Sequence, residues 1–81
     1  MSRHALITGA GTGIGEAISR QLHREGHSVT LVGRRSEPLE ALSQTLGKQS
    51  FAVTGDVTDR REITSAFKAA TAEFGDVEIL V

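Results

Sequence analysis

Four closely spaced glycines follow the first apolar segment of the sequence, and their spacing is typical of a phosphate-binding loop. Residues 8–15 read TGAGTGIG and contain Gly9, Gly11, Gly13 and Gly15. Glycine weakens regular secondary structure, but it lets the backbone turn tightly and approach a ligand without a Cβ in the way. If a helix begins here, the N–H groups of Gly13, Ile14 and Gly15 lie at its N-terminus, where the helix dipole attracts anions.

The spacing of these glycines excludes two common phosphate-binding motifs. A Walker A loop requires a lysine after its glycines, and none is present here. The dinucleotide motif G-x-G-x-x-G would require glycine at position 14 or 16, where the chain has Ile14 and Glu16. The pattern present is T-G-x-x-x-G-x-G. A flexible turn without a ligand is the alternative, but a position between strand and helix favours phosphate binding.

The composition excludes several other chemistries. The 81 residues include no cysteine, tyrosine or tryptophan, which excludes a disulfide scaffold, a zinc ribbon, a thiol nucleophile and a tyrosine acid or base. The formal net charge of −1 gives no electrostatic reason to expect a nucleic acid or an anionic membrane as partner. No apolar run approaches the roughly 20 residues of a membrane span, and the N-terminus does not resemble a secretory signal. We therefore expect a cytoplasmic location.

Apolar patterning predicts alternating strands and helices along the whole chain. Short β-branched or apolar runs predict strands, and apolar residues spaced by three or four positions predict helices. The expected strands cover residues 3–8, 28–32, 50–53 and 77–81, and the expected helices cover residues 14–25, 36–46 and 59–74. This length allows one small domain.

Residues at the expected helix ends agree with these boundaries. A glycine follows each predicted helix, where positive φ is favoured. These glycines are Gly26, Gly47 and Gly75. Ser36 is expected to cap the second helix, and Asp59 the third, with Thr58 as the alternative cap of the third.

Strand–helix alternation predicts an α/β fold with a parallel sheet. The strands are apolar on both faces, as expected when helices cover both sides of the sheet. Because crossovers are right-handed, the first two helices should share one face and the third should lie on the other. The expected strand order is 3-2-1-4, the N-terminal portion of a Rossmann-type doubly wound sheet. Such sheets bind ligands where the strand order reverses, between strands one and four.

The sequence resembles the short-chain dehydrogenase/reductase family along its whole length. TGAGTGIG at residues 8–15 is similar to the cofactor loop of that family. The end of its second strand is similar to LVGRR at 31–35, and the end of its third strand is similar to GDVTD at 55–59. The start of its fourth strand is similar to DVEILV at 76–81. The resemblance implies a nicotinamide cofactor held by Gly9, Gly11, Thr12, Gly13, Ile14 and Gly15.

The end of the second strand predicts NADP rather than NAD. In NAD-binding folds a carboxylate at this position binds the ribose hydroxyls. The corresponding residue here is Gly33, and Arg34 and Arg35 follow it. Guanidinium groups bind phosphate through paired, charge-assisted hydrogen bonds, so Arg34 and then Arg35 are the candidates for a 2′-phosphate. Many NADP-using relatives carry a basic residue in the glycine loop, where this chain has Thr12, whose hydroxyl could bind a phosphate instead.

Asp56 and Val57 resemble the adenine-binding residues of the family. Asp56 could accept a hydrogen bond from the exocyclic amine, and Val57 could offer its backbone and apolar surface. The alternative for Asp56 is a role in capping the next helix, for which Thr58 and Asp59 are better placed.

We predict no metal ligands in this chain. His23 and His27 are four residues apart, but Gly26 ends the predicted helix between them and no third ligand is near. Arg60 and Arg61 are expected to be a solvated helix face.

The resemblance also implies that no catalytic residue lies in residues 1–81. The chemistry of the family depends on serine, tyrosine and lysine, assisted by asparagine, at positions that have no counterpart here. Residues 1–81 are therefore expected to be the N-terminal part of an NAD(P)-binding domain whose catalytic part is absent. The parent protein would be an NADP-dependent, homo-oligomeric oxidoreductase acting on a small alcohol or carbonyl compound. The alternative is a non-catalytic nucleotide-binding module.

Overall fold

A computed structural model describes residues 2–81 as alternating strands and helices. The elements are β1 (His4–Thr8), α1 (Gly13–Arg24), β2 (Ser28–Gly33), α2 (Ser36–Leu46), β3 (Ser50–Thr54), α3 (Arg60–Phe74) and β4 (Ile79–Leu80). All seven elements occur where the sequence predicts them. The regular part of β4 is shorter than predicted. Hydrogen bonds from the Glu78 and Val81 N–H groups to carbonyl oxygens of β1 extend the pairing between β4 and β1.

The four strands form one parallel sheet in the order β3-β2-β1-β4, which confirms the predicted topology. Leu6 of β1 lies opposite Thr30 of β2, and Leu31 of β2 lies opposite Ala52 of β3. Since the strands are parallel and in register, the loops that follow β1, β2 and β3 meet at one edge of the sheet. This edge is where α/β sheets of this type bind ligands.

Two apolar clusters lie on opposite faces of the sheet. The first joins α1 and α2 to the sheet and contains Ala5, Ile7, Ala10, Val29, Leu31, Leu39 and Leu42. The second joins α3 to the other face and contains Leu6, Val32, Ala66 and Ala70. Successive strand residues point to opposite faces, so Leu6 and Ile7 belong to different clusters. The predicted placement of α1 and α2 on one face and α3 on the other is confirmed.

The helix ends match the predictions with one exception. Asp59 caps α3, because its Oδ1 accepts hydrogen bonds from the N–H groups of Arg61, at 2.9 Å, and Glu62, at 3.3 Å. The prediction that Ser36 caps α2 is wrong: helical backbone already begins at Ser36, and the extended residue before it is Arg35. The Arg35 side chain, at the N-cap position, makes no cap hydrogen bond. The glycines after the three helices have positive φ, as predicted.

His4 is a buried polar residue to which the sequence analysis assigned no role. Its Nε2 lies 2.7 Å from the Thr30 hydroxyl, and its Nδ1 lies 2.9 Å from the Gly75 carbonyl oxygen. A carbonyl only accepts, so Nδ1 carries the proton. The ring also packs edge-on against Phe74, at 5.2 Å between centroids. His4 thus links β1 to β2 and to the C-terminal end of α3.

Within residues 2–81 no helix combines the length and the apolar character needed to cross a membrane.

Candidate functional site

A cavity of about 320 Å³ opens at the edge of the sheet where β1, β2 and β3 end. The residues that line it are Gly9, Gly11, Thr12, Gly33, Arg34, Arg35, Pro38, Leu39, Gly55 and Val57. Six of them belong to the predicted cofactor-binding set: Gly9, Gly11, Thr12, Arg34, Arg35 and Val57. The other predicted residues lie beside the cavity, because Gly13–Gly15 form the first turn of α1 and Asp56 lies in the loop after β3.

The glycine loop allows α1 to approach β1 very closely. Gly9 has a φ of +62°, a conformation that residues with a Cβ rarely adopt. At Gly15 the reason for glycine is space, since a Cβ there would lie 2.2 Å from the Gly9 carbonyl oxygen. The N-terminus of α1 is therefore packed directly on the backbone of the loop. Any larger residue at position 15 would push the helix away from it.

The N-terminus of α1 is left uncapped by the described part of the chain. Thr12 occupies the N-cap position with extended backbone, but its hydroxyl makes no cap hydrogen bond. The first turn, Gly13 to Gly15, therefore offers N–H groups that no capping side chain among residues 2–81 satisfies. By contrast, Asp59 caps α3. An uncapped N-terminus beside a glycine loop fits an anion such as a pyrophosphate.

Two exposed apolar side chains flank this edge of the sheet. Ile14, in the first turn of α1, is 79% exposed, and Val57, in the loop after β3, is 50% exposed. Val57 lines the cavity, so a ligand that fills the cavity would cover this side chain.

Gly33 leaves the end of β2 without a side chain, and Leu39 of α2 occupies the adjacent space. A Cβ at position 33 would lie 3.3 Å from the Leu39 side chain. The sequence pattern indicates Gly33 as the position of a missing carboxylate but does not indicate Pro38 or Leu39 as cavity residues. Their position at the cavity depends on how α2 packs across β2, which the spacing of residues along the chain does not reveal.

Arg34 and Asp56 meet across the ends of β2 and β3. The Arg34 Nε lies 3.8 Å from the Asp56 Oδ1, and the two side chains are 72% and 34% exposed. Asp56 Oδ1 also accepts hydrogen bonds from the Thr58 hydroxyl, at 2.6 Å, and the Thr58 N–H, at 2.9 Å. The hydroxyl and backbone bonds from Thr58 lower the pKa of Asp56 most, burial opposes them, and the Arg34 charge adds the smallest lowering. Asp56 is therefore ionised at neutral pH.

Hydrogen bonds join the loop that carries Asp56 to the start of α3 and to the end of β2. The Asp56 N–H donates to a Glu62 carboxylate oxygen at 2.9 Å, and the Asp56 carbonyl accepts from the Asp59 N–H at 2.9 Å. The Gly55 N–H donates to the Gly33 carbonyl at 2.9 Å, which ties this loop to the end of β2. Asp59 caps α3, so Asp56 holds its own loop and does not cap the helix.

Arg35 is the second guanidinium at the cavity. It is exposed, occupies the N-cap position of α2, and has no carboxylate oxygen within 4.0 Å among the residues that the structure describes. Its charge is therefore not neutralised by a direct ion pair there. Together Arg34 and Arg35 make the end of β2 suitable for a phosphate group.

The two histidines considered as a metal pair make separate contacts. His23 Nε2 lies 2.7 Å from the Lys48 carbonyl oxygen, whereas His27 Nδ1 accepts from the Arg3 N–H at 3.1 Å. Across residues 2–81 no group of three or more histidine, cysteine, aspartate or glutamate side chains could hold a metal ion. Arg60 and Arg61, at the start of α3, are exposed.

Comparison with known proteins gives consistent matches over almost the whole chain. The family model of the short chain dehydrogenases matches residues 3–81. An uncharacterized oxidoreductase of Staphylococcus epidermidis is 40% identical over 77 residues, which cover 95% of this chain and 34% of that protein. Glycine betaine reductase ATRR of Emericella nidulans is 45% identical over 80 residues, or 95% of this chain and 6% of that protein.

Two solved structures superpose closely on the fold. One is a 3-ketoacyl-(acyl-carrier-protein) reductase from Brucella melitensis complexed with NADH, with a TM-score of 0.94, 35% identity and coverage of 96% of this chain and 32% of that one. The other is an alcohol dehydrogenase from Thermococcus sibiricus complexed with 5-hydroxy-NADP. It has a TM-score of 0.92 and 34% identity, and the match covers 99% of this chain and 36% of that one. The chain thus spans about a third of the length of these bacterial and archaeal relatives.

Proposed function

Because this chain belongs to the short chain dehydrogenase family, we propose that it is the cofactor-binding part of an NADP-dependent oxidoreductase. The reaction would interconvert an alcohol and a carbonyl compound. The observation that carries the proposal is the cavity at the ends of β1, β2 and β3, which joins the glycine loop to Arg34 and Arg35.

The residues present fit a dinucleotide with a phosphorylated ribose. The uncapped N-terminus of α1 would bind the pyrophosphate through the N–H groups of Gly13, Ile14 and Gly15. Thr12, whose hydroxyl does not cap the helix, would donate to a phosphate oxygen. Gly9 and Gly11 would let the backbone approach the ligand.

The adenosine end of the cofactor would occupy the cavity between the ends of β2 and β3. Arg34 and Arg35 would bind the 2′-phosphate, and Val57 would cover the adenine ring. Asp56 would accept a hydrogen bond from the adenine amine through Oδ2, since its contacts with Thr58 and Arg34 use Oδ1.

When bound, the nicotinamide ring supplies the hydride exchange of the reaction. We assign no catalytic residue to this chain, which contains no tyrosine. In a protein of the length of its relatives, substrate binding, acid–base chemistry and homo-oligomer contacts would depend on residues outside 1–81. We also propose that the protein acts in the cytoplasm on a small-molecule substrate.

The preference for NADP over NAD rests on the end of β2. The related structures were obtained with NADH in one case and 5-hydroxy-NADP in the other, so they support the cofactor class and leave the preference open. In this chain the position that would carry a ribose-binding carboxylate is Gly33, with Leu39 packed against it. Arg34 and Arg35, which line the cavity, would offer two positive charges to a 2′-phosphate.

Replacing Arg34 in the full-length protein tests this preference. Arg34→Asp should lower the ratio of kcat/KM for NADPH to kcat/KM for NADH by about tenfold or more, because it removes charge-assisted hydrogen bonds to the phosphate. Arg60→Asp makes the same charge change at an exposed arginine of α3 and should leave the ratio unchanged. An equal ratio in wild type and Arg34→Asp would contradict the proposal. NADPH binding without turnover of any alcohol or ketone would favour the non-catalytic module instead.

A further inference from the structure

We infer that Asp56 is a positioning residue that holds the Arg34 guanidinium ready for the 2′-phosphate of the cofactor. The inference rests on the NADP preference proposed above and adds a residue that acts through Arg34. Its basis is the juxtaposition of Arg34 Nε and Asp56 Oδ1 at 3.8 Å beside the cavity.

Asp56 is held in place before any ligand arrives. Its Oδ1 accepts from both the hydroxyl and the N–H of Thr58, and its own N–H donates to Glu62. Its carbonyl accepts from the Asp59 N–H. A carboxylate with these contacts has little freedom to move, so it can restrain a more mobile partner.

Arg34 is the more exposed partner. Its side chain is 72% exposed, and an exposed arginine loses considerable rotamer entropy when it binds a ligand. The ion pair joins Nε to Asp56 at 3.8 Å, beyond hydrogen-bond distance, so the five N–H donors of the guanidinium stay available to a phosphate. Holding Nε in place before binding therefore reduces the entropy lost when the phosphate binds.

The charge of Asp56 also has an opposing effect, which makes the inference testable. The carboxylate repels a phosphate whether or not Arg34 is present. Positioning requires Arg34. Positioning therefore raises the preference for NADPH and depends on Arg34, whereas repulsion lowers that preference and does not depend on residue 34.

A double-mutant cycle in the full-length protein separates these effects. The variants are Asp56→Asn, Arg34→Met and the double variant, and the measurement is the ratio of the dissociation constants of NADH and NADPH. Asp56→Asn should keep both hydrogen bonds from Thr58, because the side-chain oxygen of an asparagine accepts the same bonds as a carboxylate oxygen. The substitution therefore removes the negative charge and leaves the loop in place.

We expect Asp56→Asn to lower the preference for NADPH by about two- to fivefold when Arg34 is present, the range typical of exposed ion pairs. In the Arg34→Met background the same change should leave the preference unchanged or raise it slightly, because only the repulsion is then removed. Circular dichroism and the thermal unfolding midpoint check that each variant is folded. If Asp56→Asn does not fold, Thr58→Val takes its place in the cycle, because it removes a bond that holds Asp56 and keeps the Asp56 charge. It should lower the preference for NADPH when Arg34 is present and leave it unchanged in the Arg34→Met background.

An unchanged or increased NADPH preference in Asp56→Asn, or an equal change in both backgrounds, would overturn the inference. So would an equal loss of affinity for both cofactors, because that result would assign Asp56 to the shared adenine ring alone. Failure of the proposed function looks different: wild type would show no preference for NADPH, and Arg34→Met would not alter the ratio.

Discussion

Gly15→Ala should separate α1 from the glycine loop. The added Cβ would lie 2.2 Å from the Gly9 carbonyl oxygen, 2.7 Å from its carbonyl carbon and 3.1 Å from the Ala10 Cα. These are backbone atoms, so no flexible side chain can turn away to make room. Either the loop or the first turn of α1 must move.

The size of the effect follows from two opposing contributions. Forcing an extra methyl group into a packed site costs about 1–3 kcal/mol. Replacing glycine by alanine within a helix stabilises the helix by up to about 1 kcal/mol. We therefore expect Gly15→Ala to lower the free energy of unfolding by about 1–2 kcal/mol. Movement of the loop should also weaken NADPH binding, because the N–H groups of the first turn would no longer be aligned with the pyrophosphate.

Urea denaturation and NADPH titration of the full-length protein measure the two effects. Gly55→Ala is the matched control for the stability measurement alone, since a Cβ at position 55 meets its nearest neighbour at 3.5 Å, an ordinary contact. The control should lose less stability than Gly15→Ala, because its Cβ meets no atom closer than an ordinary contact. If Gly15→Ala is as stable as the control and binds NADPH as tightly as wild type, the close packing of α1 on the loop is not needed for either property.

Two further predictions concern buried and titrating groups. In urea denaturation, His4→Phe should lower the free energy of unfolding by about 1–3 kcal/mol, because the hydroxyl of the fully buried Thr30 loses its partner. Adding Thr30→Val should restore part of this loss. If it restores none, the His4–Thr30 bond does not have this role. The pKa of Asp56 is lower in the folded than in the unfolded protein, so its stabilising contribution is present above the unfolded pKa and is lost as the pH falls below about 4. Wild type should therefore lose more stability than Asp56→Asn between pH 5 and pH 3, which is roughly one unit either side of the usual carboxylate pKa. If the free energies of unfolding of the two proteins change in parallel over this range, Asp56 does not stabilise the fold in this way.

Most of the fold could be predicted because each local signal agreed with the others. The apolar patterns indicated the element types, and the glycines after the helices marked their ends. The strand order followed from right-handed crossovers. Ser36 was misplaced by one position because a serine near a helix start can lie at the N-cap or inside the first turn, and the sequence does not distinguish the two.

The candidate site could be predicted only where its residues follow one another along the chain. The glycine loop and the pair Arg34–Arg35 are local patterns, whereas the contact of Arg34 with Asp56 joins residues in different loops. The predicted order 3-2-1-4 placed the ends of β2 and β3 side by side, but the register that brings Arg34 near Asp56, with Gly33 opposite Thr54, is known only from the structure. The role of His4 gave no such signal, because its contact with Gly75 depends on the packing of α3 against the sheet.

Equilibrium binding of NADPH and NADH to the full-length protein, measured by calorimetry, tests the central claim most directly. We expect both cofactors to bind and NADPH to bind at least about tenfold more tightly, an effect of about 1.4 kcal/mol from charge-assisted bonds to the 2′-phosphate. Equal affinities, tighter binding of NADH, or no binding of either cofactor would contradict it.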